Sequence, residues 1–226
     1  MTKKLKLLTA LVTITAMLWT VAKAASAHGW DDHGDFKLFG AARLVSGGIA
    51  PHEVAADLTS NCGAQPYSNT CYTNAAAFVF SGVSFKPDNN SLTLKDITSL
   101  STDYNIGGSD CGGGSPRFEI DLTSGKNIFV YFGPAPNFVN CYYGWQNTGN
   151  VIGTAAKIWD STQLGGNSGT YAQAVTLAGS TPIASISVVV DGGWFTAKGQ
   201  DLTIDNFKIN DHVFTASDKE GDEHGK

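Results

Sequence analysis

The sequence lacks the short motifs that identify several large enzyme classes. It has no Gly-x-Ser-x-Gly nucleophile elbow, no phosphate-binding glycine loop and no cysteine pairs spaced to hold zinc. Residues 165–169 read Gly-Gly-Asn-Ser-Gly, which has the wrong order for the elbow. These absences argue against the enzymes that depend on those motifs, and no other stretch of the chain names a reaction.

Basic residues are scarce once the N-terminal segment is set aside. Four of the fifteen Lys and Arg residues precede residue 28, and no acidic residue does. The remaining chain therefore has eleven basic and twenty acidic residues, a net charge of −9. A surface this acidic argues against nucleic acid or anionic lipid as a partner.

The chain has no apolar run long enough to be identified as a membrane span. Its N-terminal run, Leu7–Val21, follows three lysines and precedes small residues, which is the pattern of a signal peptide over residues 1–27. Cleavage is expected after Ala27, with Ala24 as the alternative. No cysteine follows the run to carry a lipid. We therefore expect a secreted protein, extracellular or periplasmic, without a membrane span.

Cysteine is also rare, and all four cysteines follow the predicted signal peptide. An even number in an oxidising compartment favours two disulfides. We expect the pairs Cys62–Cys71 and Cys111–Cys141, although four cysteines allow three connectivities. The Cys111–Cys141 bridge would fasten the glycine-rich segment 107–114 to the turn at 134–137, which follows the next two predicted strands.

Apolar and polar residues alternate with the period of strands through much of the chain. Residues 117–122 alternate charged with apolar side chains, and the apolar run 127–132 predicts a strand covered on both faces. About eight strands separated by Gly, Asn and Pro turns indicate an all-β fold, a single antiparallel β-sandwich of jelly-roll type. The other clearest strand candidates are residues 36–45, 75–85, 91–97, 183–190 and 201–210.

The residue pattern also predicts one or two short helices and the limits of the domain. A helix is expected at Tyr171–Ala178, which Gly179 follows as a stop, and a helical turn at His52–Leu58. Residues 28–35 are expected to be a flexible leader and residues 213–226 a disordered charged tail. The β-sandwich domain is therefore predicted to cover residues 36–212.

Glu119 and Asp121 are the first candidates for chemistry. On a strand they share one face about 6.5 to 7 Å apart, a separation that glycosidase carboxylates use. Glu-Ile-Asp resembles the start of the Glu-x-Asp-x-Glu signature of jelly-roll β-glucanases, which would imply a polysaccharide-active enzyme. The last position is Thr123, so the second glutamate of that signature is missing. The alternative is a solvated strand face on which Arg117 balances the acids.

The predicted mature N-terminus is a second candidate. Cleavage after Ala27 would make His28 the first residue, and its amino group and imidazole resemble the histidine brace that holds copper in polysaccharide mono-oxygenases. The resemblance implies a copper site completed by a second histidine, His33, His52 or His212.

Asp205 is a candidate metal ligand. The apolar alternation of the last strand slips by one residue at Asp205-Asn206, which predicts a β-bulge. The stretch resembles the closing strand of galactose-binding-like, jelly-roll carbohydrate-binding modules. That resemblance implies a structural Ca²⁺ ion held in part by Asp205. The alternative is that Asp205 binds a backbone amide at the bulge.

Aromatic residues cluster in the segment that follows the two predicted strands at 117–122 and 127–132. Tyr142, Tyr143 and Trp145 follow Cys141 directly, so the expected disulfide would hold them on a rigid loop. Flat rings on such a loop can stack on the C–H faces of pyranose sugars at little entropic cost. These three residues are the candidate ligand-binding site. The alternative is that they only fill the core.

The chain as a whole resembles a group of secreted bacterial β-sandwich proteins. The resemblance rests on Cys-Gly-Gly-Gly-Ser-Pro-Arg-Phe at 111–118, Tyr-Gly-Trp at 143–145, and Asp-Gly-Gly-Trp at 191–194 followed by Asp-Asn-Phe at 205–207. It implies a fold but brings no activity with it.

Three hypotheses about function follow. The first is a secreted, non-catalytic, carbohydrate-binding protein whose partner is an extracellular glycan or polysaccharide. The second is an extracellular structural or matrix protein that self-associates, with the edge of residues 36–45 pairing with a neighbour's sheet. The third is a polysaccharide-active enzyme that uses Glu119 and Asp121 or a copper ion at His28.

Overall fold

The computed structural model describes most of the chain from residue 36 onward as strands and connecting turns. The described residues are 36–51, 53–60, 79–88, 91–107, 111–112, 114–139, 141–155, 157–192 and 199–214. The strands are β1 (Phe36–Gly40), β2 (Arg43–Ser46), β3 (Val54–Ser60), β4 (Ser81–Phe85), β5 (Leu100–Ile106), β6 (Arg117–Leu122), β7 (Asn127–Tyr131), β8 (Gly144–Asn147), β9 (Trp159–Asp160), β10 (Ile183–Val190), β11 (Gln200–Ile209) and β12 (His212–Phe214). The helix α1 covers Tyr171–Ala178, and 3₁₀ turns cover Leu94–Asp96 and Thr162–Leu164.

The strands form two antiparallel sheets of six that pack as a β-sandwich. The first sheet has the order β1-β4-β10-β6-β7-β9. The second has the order β2-β3-β11-β5-β8, and β12 pairs with β11. The predicted all-β sandwich is therefore confirmed. β12 continues the second sheet to Phe214, two residues past the predicted domain limit.

Eight of the strands have the order of a jelly roll. They form β3-β11-β5-β8 in one sheet and β4-β10-β6-β7 in the other. From β3 to β11 these strands alternate between the sheets, except at the β6–β7 hairpin. The remaining strands, β1, β2, β9 and β12, are short and extend the margins, so the described part of the chain exceeds the predicted eight strands.

The core lies between the inward faces of the two sheets. Phe118, Ile120 and Leu122 are buried on β6 while the charged residues between them face outward, as the alternation predicts. From the second sheet, Leu202 and Phe207 are equally buried, and the ring of Phe207 stacks on that of Phe118 with centroids 5.9 Å apart. Burying a large apolar side chain stabilises a fold by about 1.5 to 3 kcal/mol.

Several local predictions hold in the structure. The helix covers Tyr171–Ala178, with Thr170 as its N-cap accepting from the backbone N–H of Gln173. The turn between β6 and β7 contains Gly125 at a φ of 76°, a value that favours glycine. The register of β11 against β5 shifts between Asp205 and Lys208, which is the predicted bulge.

The predicted first strand, residues 36–45, is two strands in different sheets. β1 ends at Gly40, which has a φ of 66° and lies against Phe80. A Cβ at residue 40 would overlap the carbonyl oxygen of Phe80, so only glycine allows the chain to turn there. The turn carries the chain out of the first sheet and into the second.

Three further local predictions are wrong. The helical turn expected at His52–Leu58 is replaced by β3, because pairing with β2 and β11 outweighs local preference. The strand expected at 91–97 contains a 3₁₀ turn, which Asp96 stabilises by accepting from the backbone and side chain of Thr93. β7 is not covered on both faces, since Phe129 and Tyr131 on its outer face are only half-buried.

Cys111 and Cys141 form a disulfide with a Cα–Cα distance of 5.5 Å, which confirms the pairing predicted from the sequence. Both cysteines are buried in the core cluster. The bridge therefore anchors the segment before β6 to the segment before β8. Cys62 and Cys71 lie outside the described residues, and their pairing stays a prediction. None of the helices in the described part of the chain has the length and hydrophobicity of a membrane span.

Removing this disulfide should destabilise the protein markedly. The bridge spans 30 residues, and closing such a loop stabilises a fold by about 3 to 4 kcal/mol in the chain-entropy model. We expect the double variant Cys111→Ala/Cys141→Ala to lose about that much free energy of unfolding, measured by chemical denaturation. A variant as stable as the wild type would show that the unfolded chain gains little conformational entropy when the disulfide is removed.

Candidate functional site

The three aromatic candidates lie at one edge of the second sheet. We call Tyr142, Tyr143 and Trp145 the aromatic edge. Tyr143 forms a bridge with Ile106, and Trp145 on β8 pairs with Asn105 on β5. The side chains of Tyr142 and Tyr143 are strongly exposed, at 76% and 68%, and Trp145 is half-buried. The sequence did not predict β8, because an aromatic corner gives no alternation to detect.

Local structure holds these rings in place. The disulfide ends at Cys141, immediately before Tyr142, so the loop is attached to the core at its start. Gly144 has a φ of 84°, which lets the chain turn from the loop into β8. Backbone pairing with β5 then fixes the other end. A loop held at both ends loses little further entropy when a ligand binds.

The outer face of the second sheet continues from the aromatic edge. Strand register places Trp145 opposite Asn105, Asn105 opposite Thr203, and Thr203 opposite Asp57. Arg43 on β2 is opposite Asp57 and binds its carboxylate at 2.7 Å. The sequence indicated none of the partners of Trp145, since only strand pairing brings residues this distant in the chain into one row.

Two carboxyl groups meet on this face. The carboxyl of Asp201 shares a hydrogen bond with that of Asp57, which lies one strand away. Burial, followed by this hydrogen bond and the charge of Asp57, raises the pKa of Asp201 to about 7. Arg43 partly opposes the shift. The pair can therefore hold a proton at a pH where an isolated aspartate has lost it.

Glu119 belongs to an ion-pair network on the outer face of the first sheet. Arg117 donates to one oxygen of Glu119 at 2.7 and 3.1 Å, and also to both oxygens of Asp191 at 2.6 and 2.7 Å. The second oxygen of Glu119 accepts from the side chain of Asn127 at 2.9 Å. The guanidinium also stacks 4.9 Å from the ring centre of Phe129. Each carboxylate oxygen of Glu119 is therefore engaged.

Asp121 is engaged as well, because the hydroxyl of Ser185 donates to its carboxylate. Burial is the main cause that raises the pKa of both Glu119 and Asp121. Arg117 opposes this shift at both residues. Arg117 therefore balances the acids, as in the alternative interpretation of this strand, but the side chains of Arg117 and Glu119 are mostly buried and not solvated. Asp191 lies just after β10, and its pairing with Arg117 was not predicted from the sequence, which singled out Asp191 only as part of the Asp-Gly-Gly-Trp stretch.

Asp205 is fully buried on the outer side of the second sheet. One carboxylate oxygen accepts from the backbone N–H of Ile49 at 3.0 Å, and the other from that of Asn206 at 2.8 Å. Its carbonyl accepts from the hydroxyl of Thr102 at 3.1 Å. Asp205 thus joins the bulge to the loop after β2, which matches the alternative interpretation, in which its carboxylate binds backbone amides.

The donors around Asp205 fit a calcium ion poorly on their own. Ca²⁺ takes six to eight oxygen ligands, whereas the Asp205 carboxylate already accepts two backbone N–H groups. Within the described residues, no group of three His, Cys, Asp or Glu side chains could hold a metal ion. Calcium at Asp205 therefore stays a prediction.

The histidine-brace prediction falls largely outside the described residues. His28, His33 and His52 are not among them. His212 lies on β12, where its ring is 5.0 Å from that of Phe85 between centroids. The copper hypothesis thus stays a prediction.

Comparisons with known proteins give a weak likeness to a solved structure. No family model and no curated protein matches the chain. A solved structure described as a structural analysis of an exo-beta-agarase aligns with a TM-score of 0.37 and 12% identity, over 84% of this chain and 25% of that one. The present chain thus spans about a quarter of that chain's length. At this TM-score the likeness assigns neither a family nor an activity.

Truncating Arg117 should destabilise the fold. Its side chain is 13% exposed, and those of Glu119 and Asp191 are 19% and 25% exposed. Leaving two such carboxylates without their partner should cost about 3 kcal/mol, so we expect Arg117→Ala to lose about that much free energy of unfolding. Glu119→Gln, which keeps hydrogen-bonding groups, should lose about 1 kcal/mol.

Chemical denaturation measures both losses, and Lys37→Ala provides the control. Lys37 is an exposed cation on the outer face of the same sheet. An Arg117→Ala protein that unfolds at the same denaturant concentration as the Lys37→Ala protein would show that the network contributes no stability.

Stability should fall as the pH rises from about 4 to about 7. The folded-state pKa of Asp201, about 7, lies above the value of 3.8 that an unperturbed aspartate has. Between these values the folded protein retains a proton that the unfolded chain has released, so raising the pH favours unfolding. The raised pKa values of Glu119 and Asp121 act in the same direction.

Melting temperatures across this pH range test the assignment. Asp201→Asn removes the titrating group, so its melting temperature should fall less with pH than that of the wild type. Asp211→Asn, on the exposed turn before β12, is the matched control and should keep the wild-type dependence. Equal slopes for the wild type and Asp201→Asn would contradict the coupling of Asp57 and Asp201.

Proposed function

We propose that this protein is a secreted, non-catalytic binding protein that holds a glycan against the aromatic edge. The observation that carries the proposal is the exposure of two adjacent tyrosines, at 76% and 68%, on a loop that begins at a buried disulfide. Single exposed apolar residues are common on protein surfaces, but adjacent exposed rings form a patch of the kind that marks interaction sites. Tyr142 and Tyr143 offer both ring faces and hydroxyl groups.

Sugar recognition fits this surface better than recognition of an apolar ligand. Each tyrosine combines an apolar ring with a polar tip, as sugars combine C–H faces with hydroxyl groups. The half-buried ring of Trp145 adds a third flat surface beside Asn105. The acidic composition of the chain disfavours polyanions as partners.

The proposal assigns no catalytic step to Glu119 and Asp121. Both oxygens of Glu119 accept hydrogen bonds from protein groups, and Asp121 accepts one from Ser185. A glycosidase nucleophile and acid must instead face the bond that they cleave. These residues support the sheet that lies opposite the one carrying the aromatic edge.

Secretion and calcium complete the proposal. The signal-peptide pattern of residues 1–27 supports export, and a buried disulfide suits an oxidising compartment. The resemblance of residues 202–210 to the closing strand of carbohydrate-binding modules supports a structural Ca²⁺ ion near Asp205. The extracellular partner is a glycan or polysaccharide.

Binding should depend on the aromatic edge and not on exposed aromatic residues in general. The exported protein is applied to insoluble polysaccharides and a glycan array, with and without a calcium chelator. We expect the double variant Tyr142→Ala/Tyr143→Ala to lose at least about tenfold in affinity, equal to about 1.4 kcal/mol. Trp145→Ala should show a similar loss in a protein that melts normally.

Phe80→Ala is the matched control, since Phe80 is 42% exposed but lies beside the first sheet. The proposal fails if no glycan retains the wild type, or if Phe80→Ala weakens binding as much as the tyrosine variants do. Concentration-dependent assembly without any ligand would then favour the self-associating structural protein. A melting temperature indifferent to chelator would remove calcium from the proposal.

A further inference from the structure

The aromatic edge opens onto a row of side chains that crosses the whole second sheet. Register places Trp145, Asn105, Thr203, Asp57 and Arg43 opposite one another on successive strands β8, β5, β11, β3 and β2. Residues paired directly across antiparallel strands lie on the same face of a sheet. The five side chains therefore form one line, which we call the cross-strand row.

The cross-strand row faces away from the core. The neighbours of its members along each strand, Leu58, Leu202, Ile204 and Tyr104, are buried in the core cluster. Because side chains alternate along a strand, the row must lie on the opposite, outer face. Arg43 is exposed there, and Thr203, Asn105 and Trp145 are half-buried.

The middle of the row carries hydrogen-bonding groups that protein partners do not use. Within the described residues, neither the side-chain amide of Asn105 nor the hydroxyl of Thr203 has a hydrogen-bond partner, although both side chains are half-buried. Elsewhere on this face comparable groups are paired: Asn147 and Asn206 donate to Asp103 at 2.6 and 2.9 Å. The side-chain amide of Asn105 and the hydroxyl of Thr203, which are available for hydrogen bonding, thus lie beside Trp145.

The charge of this face selects against one class of ligand. Asp57 and Asp201 lie at one end, and Arg43 is already bound to Asp57 at 2.7 Å. Asp103 adds a third carboxylate on β5. Carboxylates accept hydrogen bonds from sugar hydroxyl groups. Arg43, the cation of the row, is already paired with Asp57, so the row offers no unpaired cation to a sulfate or uronate group and suits an uncharged sugar chain.

The dimensions of the row set the length of such a chain. Five strands have four gaps, and at about 4.8 Å each the row measures about 19 Å. The loop after β2 bounds one side, where the N–H of Ile49 reaches Asp205. A ligand that begins on the aromatic edge would consequently run across the strands toward Arg43.

We propose that the cross-strand row is an extended binding site for an uncharged oligosaccharide. The row is about 19 Å long, so it accommodates an oligosaccharide of about four sugar units at about 5 Å each. One end stacks on the aromatic edge, the middle units bond to Asn105 and Thr203, and the far end lies against the exposed side chain of Arg43. This inference rests on the proposed function, whose site it extends and whose ligand class it names.

Isothermal titration calorimetry with oligosaccharide ladders tests the inference. The probes are ladders from disaccharide to hexasaccharide of agarose, cellulose and xylan, all uncharged, and of sulfated carrageenan as the charged counterpart of agarose. Affinity for the matching uncharged ladder should rise with each unit up to about four and then level off. The sulfated ladder should bind more weakly.

Variants in the row locate the contacts. Asn105→Ala and Thr203→Val should each lower the affinity for the tetrasaccharide by about fivefold to tenfold, as expected for lost hydrogen bonds, and leave disaccharide binding unchanged. Ser101→Ala is the control, because Ser101 lies on the same face of β5 but four residues away from Asn105. Thermal melting checks that each variant is folded.

The outcomes separate this inference from the proposed function. If no ladder binds the wild type, both fail. If the wild type binds and Tyr142→Ala/Tyr143→Ala abolishes binding, but affinity does not depend on chain length or on Asn105 and Thr203, only the cross-strand row fails. Equal affinity for sulfated and uncharged ladders would also overturn it.

Discussion

The packing of two sheets through their apolar faces is the interaction on which the rest of this molecule depends. Phe118 and Phe207 meet at its centre, and Leu202 and Ile204 lie buried beside them. Once these residues face inward, the alternation of each strand forces their neighbours outward. The core therefore decides which polar residues share a surface, and both polar faces described above are consequences of it.

The two outer faces use their polar residues differently. On the first sheet Arg117 satisfies Glu119 and Asp191, so the charges there neutralise one another within the protein. On the second sheet the side chains of Asn105 and Thr203 have no hydrogen-bond partner in the part of the chain that the structure describes, and Trp145 lies beside them. A self-satisfied network stabilises the fold, whereas open groups next to flat rings are available to a ligand. This difference places the candidate site on the second sheet.

The disulfide connects the core to the candidate site. Cys141 is buried with the core cluster, and the next residue, Tyr142, is the most exposed large aromatic residue in the described chain. Such a sharp change from buried to exposed needs a firm attachment, because exposed rings gain nothing from packing. The bridge to Cys111 provides it, and pairing of β8 with β5 holds the other end of the loop.

The sequence alone determined the features that depend on nearby residues. Alternation predicted β6 and its buried face, the good helix formers before Gly179 predicted α1, and the slip at Asp205 predicted the bulge. It also singled out Tyr142, Tyr143 and Trp145. Only the tertiary structure decided the rest. The turn at Gly40 sends β1 and β2 to different sheets, and β3 forms because β11 pairs with it. Asp57, Asn105 and Thr203 meet Trp145 only through strand register, a long-range property that no local pattern of residues records.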